Sequence, residues 1–466
     1  MRKPTPHKEF IKKTLWIAVP IMIQNAITNF VGMLDNIMVG QIGTNQMTGV
    51  SIVNQLIFVF NLMIFGGTAG IGIFTAQYAG KKDQEGLTYT MRLKLAMGAV
   101  LSLIGIVAFH LAGDDMVMLW LKSNAASSDV LGTRTAAQGY LNVMLLGIIP
   151  FALTQIYAST LRENGETRIP MIAGITAILT DLVGNYFLIN GYWIAPKLGV
   201  VGAAIATVVS RFIEAAFVIG WSHFHTRQFP FMKHTYRSIG VPADLTVTIL
   251  LKAFPLLLNE TLWSLGQAAL SQQYSHLGLS VVGSFNISNT IAGVFNVAFI
   301  SMGSATAIML GQELGKMQDD NDRRIVQYDA NRLAVISIFL CLISGVLLAI
   351  TSFFFPKVYN TTEEIKQIAS HLILVSAIFM PVYAYENAAY FTIRSGGKTW
   401  ITFLFDSVFV WIVSVPAAFF FTRFTSFDIV RVFVAVQCFD FIKCMVGYLM
   451  VKHGGWIHNL TEDVSA

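Results

Sequence analysis

The stretch Val31–Gly43, VGMLDNIMVGQIG, decides how the rest of the chain is read. One carboxylate, Asp35, sits near the end of an apolar run that begins around Thr14. A soluble protein would place such a group on a wet surface. Here no wet surface is on offer: 55% of the 466 residues are hydrophobic and 12% are charged, against about 25% charged in soluble domains. Runs of about 20 apolar residues recur along the chain, the length of a membrane-crossing helix and too long for the roughly 9–11 residues of a barrel strand. Backbone groups in lipid must be satisfied inside their own segment, so these runs are expected to be helices. An ionisable group within a membrane span is a functional candidate by default.

Outward from that stretch, twelve spans are predicted, starting near residues 14, 50, 92, 138, 168, 199, 245, 281, 330, 366, 400 and 430. Lys81, Lys82, Arg92 and Lys94 crowd the second connection, whereas the first, QIGTNQ, carries no charge. The resulting excess of Lys and Arg on one side predicts both termini in the cytoplasm. The start, MRKPTPHKEFIKK, lacks a short apolar stretch with a small-residue cleavage site, so the first helix is expected to be retained in an inner (plasma) membrane. The net charge of +5 is then a topology signal; a nucleic-acid surface would need a basic, aromatic-laced soluble face.

The halves repeat. At one constant register Pro20 meets Pro255, Gly43 meets Gly278, Asn54 meets Asn289, Gln77 meets Gln312, Gly80 meets Gly315 and Lys81 meets Lys316. Three residues out of that register, Arg162 meets Arg394 and Gly165 meets Gly397. The fold class is therefore an all-α integral membrane protein of twelve transmembrane helices in two six-helix bundles related by an internal parallel repeat. The expected lobes are residues 1–222 and 245–466, joined by a cytoplasmic linker at 223–244. Repeats of this kind rock about a midplane cavity.

Asp35 leads the candidate site residues. An ionised carboxylate at mid-span costs at least ~2.5–3.5 kcal/mol unless it is protonated, paired or bound to a cation, and each remedy links its charge to something transportable. The alternative is a buried Asp merely bonded to Asn25, Asn36 or a neighbouring helix. Asp181 and Asn185 share a helix face at i,i+4. Thr207, in the small-residue run GAAIATVVSR, can face them, as an ion-coupling cluster or as a helix-packing network. Glu260 follows Pro255 in FPLLLNETLWSLGQ, and with Trp263 it suits an organic cation, which takes a carboxylate and an aromatic face. Tyr383 and Glu386, after Pro381, extend an acidic, aromatic wall. Arg211 with Glu214 and Asp440 with Lys443 read as pairs that neutralise each other at i,i+3.

No catalytic residue or cofactor is expected. SGGKT (Ser395–Thr399) resembles the end of a phosphate loop, but Thr392 stands where that loop needs Gly, so ATP is not implied. The histidines show no paired ligand spacing, and the only metal the reading allows is a sodium ion at Glu260.

These residues resemble the multidrug and toxic compound extrusion (MATE) transporters over nearly the whole chain. The carriers are Leu34–Gly43, LRENGETRIPM (Leu161–Met171), GVVGAAIATVVSR (Gly199–Arg211), and Asn259-Glu260 with Leu262–Gly266. The resemblance implies a V-shaped pair of bundles that exports cationic, amphipathic compounds in exchange for protons or sodium. Asp35 is then the coupling carboxylate of the first lobe and Glu260 the cation-binding acid of the second. Two positions depart from the family pattern. Asp181 and Asn185 stand in swapped order, and Tyr383 lies near the place of a tenth-span Asp, with Glu386 one turn later. The expected partners are small organic cations and the bilayer, with no nucleic acid, and a monomer is expected. Other readings are a lipid-linked precursor flippase of a related superfamily, which would want a cationic cavity, and an intramembrane enzyme.

Overall fold

The computed structural model describes residues 3–40, 42–124, 130–191, 196–238, 240–359 and 361–462. For residues 31–37, 40, 44, 119–124, 190 and 279 this extends to the backbone only. The Asp35 carboxylate thus lies outside the described residues.

Among the described residues every element is helical. The first half holds α1 His7–Gly40, α2 Thr44–Lys81, α3 Gln84–Asn124, α4 Val130–Met144, α5 Ile148–Glu163, α6 Arg168–Asn190 and α7 Gly199–Phe224. The short α8, Phe231–Thr235, lies in the linker. The second half holds α9 Ala243–Ser275, α10 Leu279–Gly315, α11 Asp320–Thr351, α12 Glu363–Ser395, α13 Thr399–Phe403, α14 Val415–Phe424, α15 Ile429–Cys438 and α16 Asp440–His453. Ten stretches among the described residues are long and apolar enough to cross a membrane, from Asn45–Lys81 to Thr399–Phe424. With α1 and the α15/α16 pair they make the twelve spans.

Three spans are less continuous than their apolar runs suggest. The fourth passes through a 3₁₀ turn at Leu145–Gly147, just before Pro150, whose missing N–H cannot continue the helical ladder. The eleventh widens into π-helical turns at Leu404–Val408 and Val410–Ser414, ahead of Pro416. The twelfth breaks at Phe439, between α15 and α16.

The described residues divide into two compact units. One comprises Met1–Met22, Ile73–Asp83 and Val247–Ala466; the other comprises Ile23–Gly72 and Gln84–Thr246. The first unit shows the repeat at atomic scale. Gly80 of α2 lies against the main chain of Gln312 in α10, and Gly315 of α10 lies against the main chain of Gln77 in α2. These are the four residues that the sequence register had paired, and a Cβ at either glycine would collide with a backbone carbonyl. Gln77 also donates to the carbonyls of Ser395 (3.0 Å) and His458 (3.3 Å) and accepts the N–H of Leu460 at 2.8 Å. It thereby ties the buried C-terminal segment around Trp456 and Leu460 to the end of α2. At the other end of the chain, Arg332 of α11 donates to the Thr5 carbonyl (2.9 Å) and to Asp329 (3.2 Å), and its guanidinium lies 3.8 Å from the Phe10 ring centre.

Because backbone rather than side chain blocks these glycine positions, Gly315→Val is expected to destabilise the protein by about 1–3 kcal/mol or more. Gly315→Ala should lie between it and the wild type. Thermal unfolding in detergent checks this; equal midpoints for all three would show that the crossing relaxes without cost.

In the second unit, small residues bring α6 and α7 together: Gly184 packs on Ala206, and Gly202 on the Leu188 carbonyl. Arg92 of α3 donates to the carbonyls of His234 (2.8 Å), Thr235 (3.0 Å) and Gly240 (2.7 Å), anchoring the linker. The two matching inner turns explain a shared glycine. Gly165 (φ 89°) and Gly397 (φ 74°) both adopt left-handed backbone, which a side chain makes costly. Their N–H groups bond the carbonyls of Arg162 (2.8 Å) and Arg394 (2.9 Å) in the same way.

Candidate functional site

In the second half, polar side chains from α9, α12 and α16 converge around Asp406. Asp406 stands in the first π-helical stretch, where the ladder is opened by a side chain from α9. Asn259 Oδ1 accepts the Ser407 N–H at 3.3 Å and its Oγ–H at 2.7 Å, and Ser407 Oγ–H also reaches the Asn259 carbonyl at 2.8 Å. Insertion of a side chain into the ladder is a recognised cause of such distortion, and π-turns concentrate at functional sites. The amide of Asn259 then donates to Asp406 Oδ2 at 3.0 Å and to the Tyr390 hydroxyl of α12 at 3.2 Å.

From α16, the Lys443 ammonium pairs with Glu386 of α12 and stands 3.5 Å from Asp406 Oδ1. It lies 5.4 Å from the Phe405 ring centre and 5.5 Å from that of Phe409, within cation–π range. The i,i+3 pairing of Lys443 with Asp440 expected from the sequence gives way to these two partners on other helices. Asp440 faces the charge of Asp406.

Glu260 lies one residue beyond Asn259. It makes no hydrogen bond or ion pair to another described residue, and it meets Arg394 and Asp406 only through their fields. Counted as ionised, Glu260, Glu386, Asp406 and Asp440 outnumber Lys443 and Arg394. In lipid, such a group approaches neutrality by taking up a proton or a cation.

Helix α12 is placed by two close approaches. Gly303 of α10 accommodates Asn387 and Phe391. Gly345 of α11 packs on the Ala377 carbonyl, the acceptor that Pro381 has no N–H to reach. Trp263 and Tyr383, expected beside the carboxylates, pack in an apolar cluster with Leu270, Tyr274, Phe379 and Val410. The Tyr383 ring centre is 6.0 Å from that of Phe299. Of the two α12 candidates, Tyr383 and Glu386, Glu386 alone reaches the ionic cluster directly.

In the first half, Asp181 and Asn185 are buried and joined by an Asn185 Nδ2 to Asp181 Oδ2 contact of 3.5 Å. The Thr207 hydroxyl bonds back to Ala203 of its own helix at 3.1 Å. Arg211 donates to the Gly147 carbonyl at 3.3 Å and lies over Phe151 at 5.1 Å. Glu214 lies in the field of both Arg162 and Arg211 instead of in a contact pair with Arg211, and Arg162 donates to Gln24 at 2.8 Å. Lys94, counted in the sequence as a charge of the second connection, is wholly buried. It pairs with Glu163 at 2.5 Å, with Ser159 Oγ at 3.0 Å and Thr160 Oγ1 at 3.2 Å.

The same architecture is found in known proteins. The MatE family model matches residues 20–187 and 255–420, one match in each half. A probable multidrug resistance protein of Bacillus subtilis, YoeA, is 24% identical over 450 residues, covering 93% of this chain and 92% of that protein. A probable multidrug resistance protein of Thermotoga maritima, NorM, is 22% identical, covering 97% and 94%. A crystal structure of MATE in the straight conformation superposes with a TM-score of 0.83 at 18% identity, covering 97% of this chain and 98% of that one.

Proposed function

The chain belongs to the MatE family of multi-pass membrane transporters, and from that premise we propose that it is a secondary active multidrug efflux antiporter. It exports cationic, amphipathic compounds in exchange for protons or sodium ions by alternating access. The observation that carries the proposal is the surplus of carboxylates over cations around Asp406, Glu386 and Glu260. The multidrug resistance names of YoeA and NorM support it.

The mechanism is competition. Facing outward, the carboxylates load a coupling ion, lose their charge and release the bound organic cation. Facing inward, they give the ion up and bind the next cation. A one-for-one exchange of monovalent cations moves no net charge, so the ion gradient alone drives it. At ~1.4 kcal/mol per tenfold gradient, one pH unit sustains about one decade of drug gradient. Two ions per cation would add ~2.3 kcal/mol per 100 mV. On this reading residues 1–222 and 245–466 are the rocking lobes of a monomer. Residues 223–244 are its cytoplasmic linker, and both termini face the cytoplasm of an inner membrane. Asp35, with Asp181, Asn185 and Thr207, couples in the first lobe, and Glu260 in the second; Trp263, Tyr383 and Glu386 line the cation path.

Proteoliposomes loaded with a fluorescent organic cation, under a proton gradient or a sodium gradient imposed separately, test the proposal. Uphill movement is expected under one gradient, and Asp35→Asn is expected to lose it. Wild-type efflux by Asp35→Asn would remove that residue from coupling. No uphill movement under either gradient, with the protein folded and oriented, would sink the antiporter and make anionic-lipid binding at Arg211 and Lys443 the next assay.

A further inference from the structure

We infer that Lys443 is a built-in cation, occupying the place in the second half that a sodium ion would take, so that this carboxylate cluster does not bind sodium. The inference rests on the antiport reading and deepens it by excluding one of its two coupling ions from one half.

The place has the chemistry of a cation site and is already filled. Two carboxylates from different helices, Glu386 and Asp406, meet on a single ammonium, whose side chain is 6% exposed. The faces of Phe405 and Phe409 complete the surround. A sodium ion on the same two carboxylates would share them with Lys443, and two like charges at that separation repel strongly where water is scarce. A neutral side-chain oxygen beside the two carboxylates is also committed. Asn259 Oδ1 accepts two bonds from Ser407, and its Nδ2 faces Asp406 and Tyr390.

A tethered ammonium differs from a free ion in one way that matters for exchange: it cannot leave the protein. The cluster therefore changes occupancy by protonation of Glu386 or Asp406, or by an organic cation that takes over one carboxylate while Lys443 keeps the other. The other charged or titratable groups in range are Glu260 of α9, Tyr390 and Arg394 of α12, and Asp440 and Cys444 on α16 itself. Of these only Arg394 is a further cation, and it adds to the repulsion of sodium.

Binding of radiolabelled sodium to the purified full-length protein at fixed pH is the test. It is made in an Asp35→Asn, Asp181→Asn background, so that the first-half carboxylates assigned to ion coupling do not contribute. No saturable binding is expected while Lys443 is present, and Lys443→Arg should behave the same way. Lys443→Met should gain saturable sodium binding, and Glu386→Gln added to it should remove that binding again. Should Lys443→Met not fold, Lys443→Gln, which can still bond both carboxylates, takes its place. Saturable binding with Lys443 present overturns the inference, as does a folded Lys443→Met or Lys443→Gln protein that gains none. The measurement needs no gradient and no transport. Sodium binding that follows this pattern across the variants, with no cation moved in proteoliposomes by the wild type, would fault the antiport reading and leave the role of Lys443 standing.

Discussion

Glu260→Gln is expected to leave the protein folded and to reduce gradient-driven efflux of an organic cation by about a hundredfold or more, some 2.7 kcal/mol of lost driving interaction. The expectation follows from what Glu260 lacks. Among the described residues no donor bonds its carboxylate, and Arg394 and Asp406 reach it only through space, with opposite signs. Gln keeps its size and removes its charge, so no partner is stranded. The insertion cost of a mid-span carboxylate, at least ~2.5–3.5 kcal/mol, is removed with it. The melting temperature should therefore hold or rise while transport falls. Asp406→Asn should do the reverse in part. Asp406 accepts from Asn259 and faces Lys443, so neutralising it leaves an ammonium with one counter-charge fewer and lowers stability along with efflux. If Glu260→Gln transported normally and melted lower, Glu260 would be a packing residue and its place in the coupling scheme would be lost.

That contrast between Glu260 and Asp406 also shows how far the sequence carries. Glu260 stands out in the sequence because a carboxylate in an apolar run meets the cost of lipid burial. Asp406, in ITFLFDSVFV, meets it equally and is open to the same argument. What the sequence does not display is the distorted ladder in which Asp406 stands: a side chain from α9 bonds the Ser407 N–H within the first π-turn, and Pro416 is the local sign in the sequence. Lys443 illustrates the same limit. Spacing along one helix reports neighbours on that helix, hence the pairing with Asp440, whereas the partners observed are Glu386 and Asp406, contributed by other segments. Backbone constraints were more legible. Gly165 and Gly397 are repeat-mates, and both adopt left-handed backbone; Gly80 and Gly315 are repeat-mates, and both admit a crossing main chain. A glycine requirement is local and survives in the sequence, whereas a cross-helix ion pair is a product of packing.

Lys94 is the strongest case of that kind, and it yields the largest expected loss of stability. As one of four cations in the second connection, it reads as a solvated charge marking the cytoplasmic side. Its side chain is instead 0% exposed, and its ammonium meets Glu163, Ser159 and Thr160 of α5. Glu163 itself lies over Gly72 of α2, where any side chain would displace the carboxylate. Three helices thus meet on one ion pair. Removing one member of such a pair strands the other in a low-dielectric interior and costs about 3–5 kcal/mol. Lys94→Met is expected to lose that much, and Glu163→Gln a similar amount, read as unfolding in detergent. The double variant Lys94→Met with Glu163→Gln should recover most of the loss, because the desolvation of both ions disappears together. A coupling energy of opposite sign to the two single losses is the signature. Losses that simply add would mean that the two side chains act separately, through packing. Single variants as stable as the wild type would mean that water reaches the pair and screens it, returning Lys94 to the role of a topology charge.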